Sequence, residues 1–247
     1  MIISSRENRL VKTIAGYLAG RIRKPWVVVE GRKSVREMLD LGLKPAHLIV
    51  TQEHDHVAEA YGALTIVTAP LFKALSTVRE PQGILAVFEV KETPVSELAC
   101  RPGMLLVLDG IQDPGNVGTI IRTAAAFDAA GVILGSGCAS PYSPKTSRSS
   151  TGTVARVAIC QVRDSATAIA ALAEARRWIA AVPAGGKTPA QCRLGPDCGL
   201  ILGGEGAGLS DAMLRRADAL VTIPISVESL NVAVAAGILM HEARRAP

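Results

Sequence analysis

Aromatic side chains are scarce: only 3% of the 247 residues are Phe, Trp or Tyr. Recognition of bases on stacked aromatic platforms is therefore not the expected mode of action. No apolar run reaches the roughly 18 residues that a membrane-spanning helix needs. The N-terminal MIISSRENRL lacks the apolar core of a secretion signal. Both absences point to the cytoplasm and away from a membrane. Paired cysteines are missing too. The five cysteines (Cys100, Cys138, Cys160, Cys192, Cys198) are odd in number and lack paired spacing, which points to reduced thiols. Cys192 and Cys198 have no His nearby to complete a zinc site. His54-x-His56 lies in the polar run QEHDHVAE and reads as a solvated loop, so no metal is expected.

What is present is apolar and basic. Hydrophobic residues make up 49% of the chain and the mean hydropathy is +0.29, which excludes a disordered protein. The net charge of +5 and pI of about 9.1 favour an anionic partner. Basic residues gather early: Arg6, Arg9, Lys12, Arg21, Arg23, Lys24, Arg32, Lys33 and Arg36. They make either an ordinary solvated surface or a face that contacts nucleic-acid phosphates.

The pattern of elements is α/β. Residues 6–24 read as a helix, with Leu10, Ile14, Tyr17, Leu18 and Ile22 on one face. WVVVEG, HLIVT, LTIVT and GILAVFEV read as strands, giving a small unit over residues 1–92. The polar KETPVSELACRPG supplies a linker, residues 93–103. From residue 104 to 247 strands alternate with helices, the signature of a mostly parallel, helix-covered sheet. There DPGNVG reads as a turn, TIIRTAAAFDAA as a helix, SPYSPKTSRSSTG as a polar loop and VARVAIC as a strand. Ile223-Pro224-Ile225 reads as a strand end and Ser229 as the N-cap of the last helix. That helix is apolar on nearly every face from Leu230 to Met240, which predicts burial.

Ligands of open α/β sheets bind beyond the carboxyl ends of the strands. Three loops lie there: residues 109–122, 203–210 and 224–231. In the first, Gly115 and Gly118 permit close backbone approach, Asn116 can cap a helix, and Arg122 stands alone among apolar neighbours. A buried Arg needs an anion; the alternatives are a salt bridge to Asp109 or Asp113, or a ligand. In the second, Gly204, Gly206 and Gly208 are followed by Leu209 where a dinucleotide fingerprint needs glycine, and no acidic residue ends the next strand. No Lys-Ser/Thr follows either, so the loop is not a P-loop. A nicotinamide-dependent oxidoreductase is excluded on this ground. In the third, Asn231 sits at the start of a buried helix, where an amide needs partners.

Together Asn116-Val-Gly118…Arg122, Leu202-Gly203-Gly204-Glu205-Gly206-Ala-Gly208, and Ile223-Pro224 with Ser229-Leu230-Asn231-Val232-Ala233 resemble the three motifs of the SpoU/TrmH family of RNA ribose 2′-O-methyltransferases, in the SPOUT superfamily. Singly each is weak; jointly they are specific. SSRENRLVKTIAGYL, VVVEGRKSVREML and PQGILAVFEV look like the family's N-terminal substrate-binding domain, itself similar to ribosomal RNA-binding proteins. Lys145 and Arg148-Ser-Ser-Thr-Gly152 look like the loop after the second strand of its catalytic domain. Arg9 stands where the family usually has Pro, and the turn before Ser229 is shorter than is common.

The resemblance implies a parallel sheet ending in a C-terminal trefoil knot, preceded by a small α/β RNA-binding domain. It implies S-adenosylmethionine as cofactor, held by Gly203, Gly204, Ile223 and Leu230 largely through backbone groups. Arg122 maps to the catalytic arginine, and Asn116, Glu205, Ser229 and Asn231 to its polar supports. RNA contacts fall to Arg6, Arg9, Lys12, Arg32, Lys33, Lys145 and Arg148. The expected protein is a homodimer through the knotted domain, acting on RNA, with ribosomal RNA favoured over transfer RNA. The competing reading is an RNA-binding protein of the same fold without catalysis, against which the intact polar set argues.

Overall fold

The computed structural model describes residues 2–57, 64–206 and 208–245. In chain order the elements are β1 (Ile2–Ile3), α1 (Arg9–Leu18), β2 (Trp26–Glu30), α2 (Arg32–Asp40), β3 (His47–Thr51), β4 (Leu64–Val67), α3 (Ala69–Leu75) and β5 (Ile84–Glu89). There follow α4 (Val95–Ala99), β6 (Leu105–Asp109), α5 (Pro114–Ala126), β7 (Gly131–Leu134), α6 (Pro144–Ser149), β8 (Ile159–Gln161), α7 (Ser165–Ala171) and β9 (Trp178–Ala181). The chain ends with α8 (Pro189–Cys192), β10 (Gly199–Gly203), α9 (Asp211–Leu214), β11 (Ala219–Val221) and α10 (Val232–Arg245). It divides into two units. One is Met1–Lys91 with Tyr142–Ala155; the other is Glu92–Pro141 with Arg156–Pro247.

The first unit is built on a mixed sheet of order β1-β4-β3-β5-β2, in which β5 runs antiparallel to both neighbours. Helix α1 starts at Arg9 because the Asn8 side chain accepts from the Leu10 and Val11 amides, at 2.9 and 3.4 Å. Its buried face, including Val11, Ile14 and Tyr17, follows the expected stripe. The segment 142–155 departs from expectation. It reads as a polar loop of the second unit, yet it packs in the first and contains α6. Strand β2 is the edge of its sheet and leaves backbone groups unpaired. Ser147 Oγ donates to the Val28 carbonyl of that edge at 2.7 Å. Thr146, Ser147 and Ser150 are buried, so hydroxyls that look like surface composition serve here as edge and turn partners. His54 is likewise buried rather than solvated, and donates to or accepts from Thr51 Oγ1 at 2.9 Å. The side chain of His56 lies outside the described residues.

The second unit carries the expected parallel sheet, six strands in the order β11-β9-β10-β6-β7-β8. Its central strands are buried along most of their length: Leu105, Leu106, Val107, Leu108, Val132 and Ile133 expose none of their surface. Residues 93–103 are no free linker. Thr93 N–H donates to the Ile159 carbonyl at 2.7 Å, and Leu98 of α4 lies in the core beside Leu105 and Trp178. The buried Arg176 guanidinium donates to the carbonyls of Leu98 at 3.2 Å, Gly103 at 2.6 Å and Asp197 at 3.1 Å, and to that of Arg101. Burial lowers its pKa. Polar composition hid the segment's role because its anchors are backbone carbonyls and one leucine. Leu98→Ala is expected to cost roughly 2–5 kcal/mol of stability, read by denaturant unfolding; a cost under about 1 kcal/mol would mean that the segment is a tether after all.

Candidate active site

The first loop begins where β6 ends and turns directly into α5. DPGNVG is the first turn of that helix, not a separate turn: Pro114 occupies the first helical position and Asp113 is the cap, accepting from the Asn116 amide at 3.3 Å. The Asn116 side chain is thereby released for longer-range bonds. Its Nδ2 donates to Glu205 Oε1 at 2.7 Å.

Glu205 comes from the loop after β10. Gly208 N–H donates to the Gly204 carbonyl at 3.0 Å, closing a tight turn with Gly208 at φ +64°. Gly204 has no room for a side chain, since a Cβ there would stand 2.4 Å from the Gly110 carbonyl oxygen of the first loop. Close backbone approach between the two loops therefore depends on this glycine.

Asn231 completes the group. Its Nδ2 donates to Asn116 Oδ1 and to Glu205 Oε1, both at 3.0 Å. Its Oδ1 accepts from the Ala233 and Val234 amides, at 3.0 and 3.3 Å, and so caps α10. The cap is thus Asn231 and not Ser229, and the helix starts at Val232. Ser229 is exposed, and its hydroxyl has no hydrogen-bond partner among the described residues.

Beside this cluster lies a cavity of about 710 Å³. Gly203, Gly204, Ile223, Ser229 and Leu230 line it, as do Glu205 and Asn231. The four cofactor residues expected from the sequence are therefore brought together. Sequence reasoning missed others on the wall, notably Pro183, Leu209 and Glu228. Their signal was only position, beyond strand ends. Among the described residues no Lys, Arg or His lines the cavity, while the carboxylates of Glu205 and Glu228 do, so a cationic ligand fits its chemistry.

Arg122 stands apart. It is exposed on α5 and makes no hydrogen bond or ion pair among the described residues, so the salt bridge to Asp109 or Asp113 is absent. Asp109 instead accepts from Ser165 Oγ at 2.7 Å. Six residues beyond Asn116, Arg122 is roughly 9 Å along the helix and turned by about 120°. Nor is α10 buried all round: Val234 and Ile238 are 52% and 36% exposed, four residues apart on one face.

A family model described as the SpoU rRNA Methylase family matches residues 103–241. The chain belongs to that family. An uncharacterised tRNA/rRNA methyltransferase of Synechocystis is 32% identical over 98% of this chain and 93% of its own. The 23S rRNA guanosine 2′-O-methyltransferase RlmP of Bacillus subtilis is 35% identical over 70% of this chain and 69% of its own. Among solved structures, an rRNA methyltransferase from Sinorhizobium meliloti superposes with a TM-score of 0.86 at 31% identity, over 99% of this chain and 97% of its own. The AdoMet-bound form of an rRNA methyltransferase from that organism superposes at 0.84, with 30% identity and the same coverage. For a SpoU-family chain the three motif loops thus converge on one cluster, with Arg122 outside it.

The seven expected RNA contacts of this SpoU-family chain (Arg6, Arg9, Lys12, Arg32, Lys33, Lys145 and Arg148) are all exposed. All belong to the first unit, the last two through the segment 142–155. Lys12 pairs with Glu7 on the surface, a contact worth little.

Asn231→Asp separates the two duties of the amide. The capping oxygen stays, but the donors to Asn116 and Glu205 are lost and a second carboxylate faces Glu205. Asn231→Ala should lose about 0.5–2 kcal/mol through the missing cap. The Asp variant should keep most of that stability and lose activity as severely as Ala. Thermal melts with single-turnover assays check this; an active Asp variant would break the assignment.

Proposed function

We propose that this protein transfers a methyl group from S-adenosylmethionine to a ribose 2′-hydroxyl of RNA. The observation that carries the reading is the Asn116–Glu205–Asn231 cluster at the edge of a cavity walled by glycine backbone and carboxylates. Gly203, Gly204, Ile223 and Leu230 would hold the cofactor, largely by backbone groups, and the cavity has the volume of a small-molecule site. When bound, that sulfonium supplies an electrophilic methyl carbon; its positive charge suits walls that carry Glu205 and Glu228 and, among the described residues, no cation.

The residues of the chain do the rest. A 2′-hydroxyl is a poor nucleophile and must lose its proton as its oxygen bonds to the methyl carbon. Asn231 and Asn116 hold Glu205 Oε1 through amide donors, which fixes the carboxylate at the cavity edge. Ser229 stands on the same wall with its hydroxyl available to substrate. Arg122 orients the RNA phosphate or hydroxyl through its planar fork; positioning supplies much of the rate.

We read the exposed face of α5 and α10 as the seam of a homodimer. Val234 and Ile238 supply its apolar part, and Arg122 rises from the same helix pair without a partner of its own. The C-terminal stretch that closes the cavity is the segment expected to thread as a trefoil knot; α10 packs on α5 and on α8. Ribosomal RNA is the preferred substrate class and the cytoplasm the compartment. The basic first unit and the rRNA substrate of RlmP support this.

The test is transfer of labelled methyl to total ribosomal and transfer RNA. Label resistant to alkali, in ribosomal RNA, is expected with wild type and lost with Arg122→Ala. Arg122→Lys should remain impaired, because Lys keeps charge but loses the fork; full activity there would refute the orienting role. No transfer despite RNA binding would favour the non-catalytic reading. Val234→Asp combined with Ile238→Asp should shift sedimentation to the monomer and lower turnover; a dimer that persists would move the seam elsewhere.

A further inference from the structure

The first unit holds a buried histidine that the transfer chemistry does not use. His54 is 6% exposed and sits in the short turn Gln52–Val57 that follows β3. Its Nε2 faces Arg32 Nη2 in a hydrogen bond, and its Nδ1 faces Thr51 Oγ1 at 2.9 Å. A guanidinium only donates, so Nε2 must offer a lone pair. The ring is then neutral in this contact, with its proton on Nδ1 and donated to Thr51. The site is built closely. Gly83, at φ +71°, leaves room for the ring; a Cβ there would stand 2.8 Å from Nδ1.

Arg32 is held at its backbone as well. Its N–H donates to Gln82 Oε1 at 2.9 Å, just after Gly31 at φ +97°. The guanidinium itself is on the surface and forms no ion pair among the described residues. A carboxylate partner would orient an arginine and cancel its charge. A neutral imidazole orients it and leaves the charge whole, with the other guanidinium N–H donors of this exposed residue left for an anion.

We propose that His54 is a positioning residue that presents the Arg32 fork to an RNA phosphate. This rests on the RNA-binding reading of the first unit. Charge alone would make Arg32 a diffuse attractor, worth counterion release and little else. A fixed fork adds bidentate geometry and removes side-chain entropy from the binding step. It therefore predicts that His54, which need not touch RNA, affects RNA affinity only through Arg32.

A double-mutant cycle tests this, with the dissociation constant for fragmented ribosomal RNA and KM for RNA in methyl transfer as readouts. Arg32→Ala and His54→Ala should each weaken binding about tenfold or more, the size of one charge-assisted contact. The loss should fall on KM more than on kcat. In the Arg32→Ala background, His54→Ala should add less than about twofold, as coupled neighbours do. His54→Gln, whose amide can accept from Arg32 and donate to Thr51, should restore affinity. Equal losses from His54→Ala in both backgrounds, or full affinity in Arg32→Ala, would overturn the inference; the latter requires no histidine variant to fold. The affinity cycle reads out even if no methyl is transferred, so failure of the enzymatic reading and failure of this one are distinguishable.

Discussion

The amide of Asn231 faces two ways. Its oxygen takes the first free N–H groups of α10, and its nitrogen donates to Asn116 on α5 and Glu205 beyond β10. One planar group thus fixes the start of the last helix, the first turn of another and the carboxylate between them. Asn231 is exposed, so water competes for its amide; both of its ends are nonetheless used within the chain. The cavity wall formed by Gly203, Ile223 and Leu230 exists because these loops are tied at that point. Gly204 permits the tie, since only a bare backbone can approach Gly110 so closely.

Charge is divided by task. Among the described residues the cavity wall carries carboxylates and no cation. The first unit exposes Arg6, Arg9, Arg32, Lys33, Lys145 and Arg148. A net charge of +5 averages over the two and hides both. The division suits a cationic small molecule in one unit and a polyanion on the other. The segment 142–155 adds to it by bringing Lys145 and Arg148, from the middle of the chain, into the first unit.

Apolar sequence and buried sequence are not the same thing. The stretch from Leu230 to Met240 is apolar on nearly every face, and burial was the natural expectation. Val234 and Ile238 are nonetheless exposed in the single chain. A side chain destined for a subunit seam and one destined for a core obey the same hydrophobic rule, so periodicity cannot separate them. Arg122 is the converse case. Its apolar neighbours suggested a buried ion pair, but the helix turns its own position outward while Ile120, Ile121 and Ala124 go in.

The parallel sheet, the three strand-end loops and the identities of Asn116, Glu205 and Asn231 are legible in the residues alone. Buried parallel strands are read from continuous apolar runs, and glycine spacing marks loops that approach a ligand or each other. Tertiary structure alone decided which oxygen caps α10, because Ser229 and Asn231 are both good caps and only the position of Asn116 and Glu205 favours the amide. It also decided that residues 93–103 belong to a core, that residues 142–155 cover the edge of β2, and that His54 meets Arg32. Those depend on contacts between residues far apart in the chain, made through carbonyls, hydroxyls and a neutral ring. Such partners leave no periodic trace in a sequence.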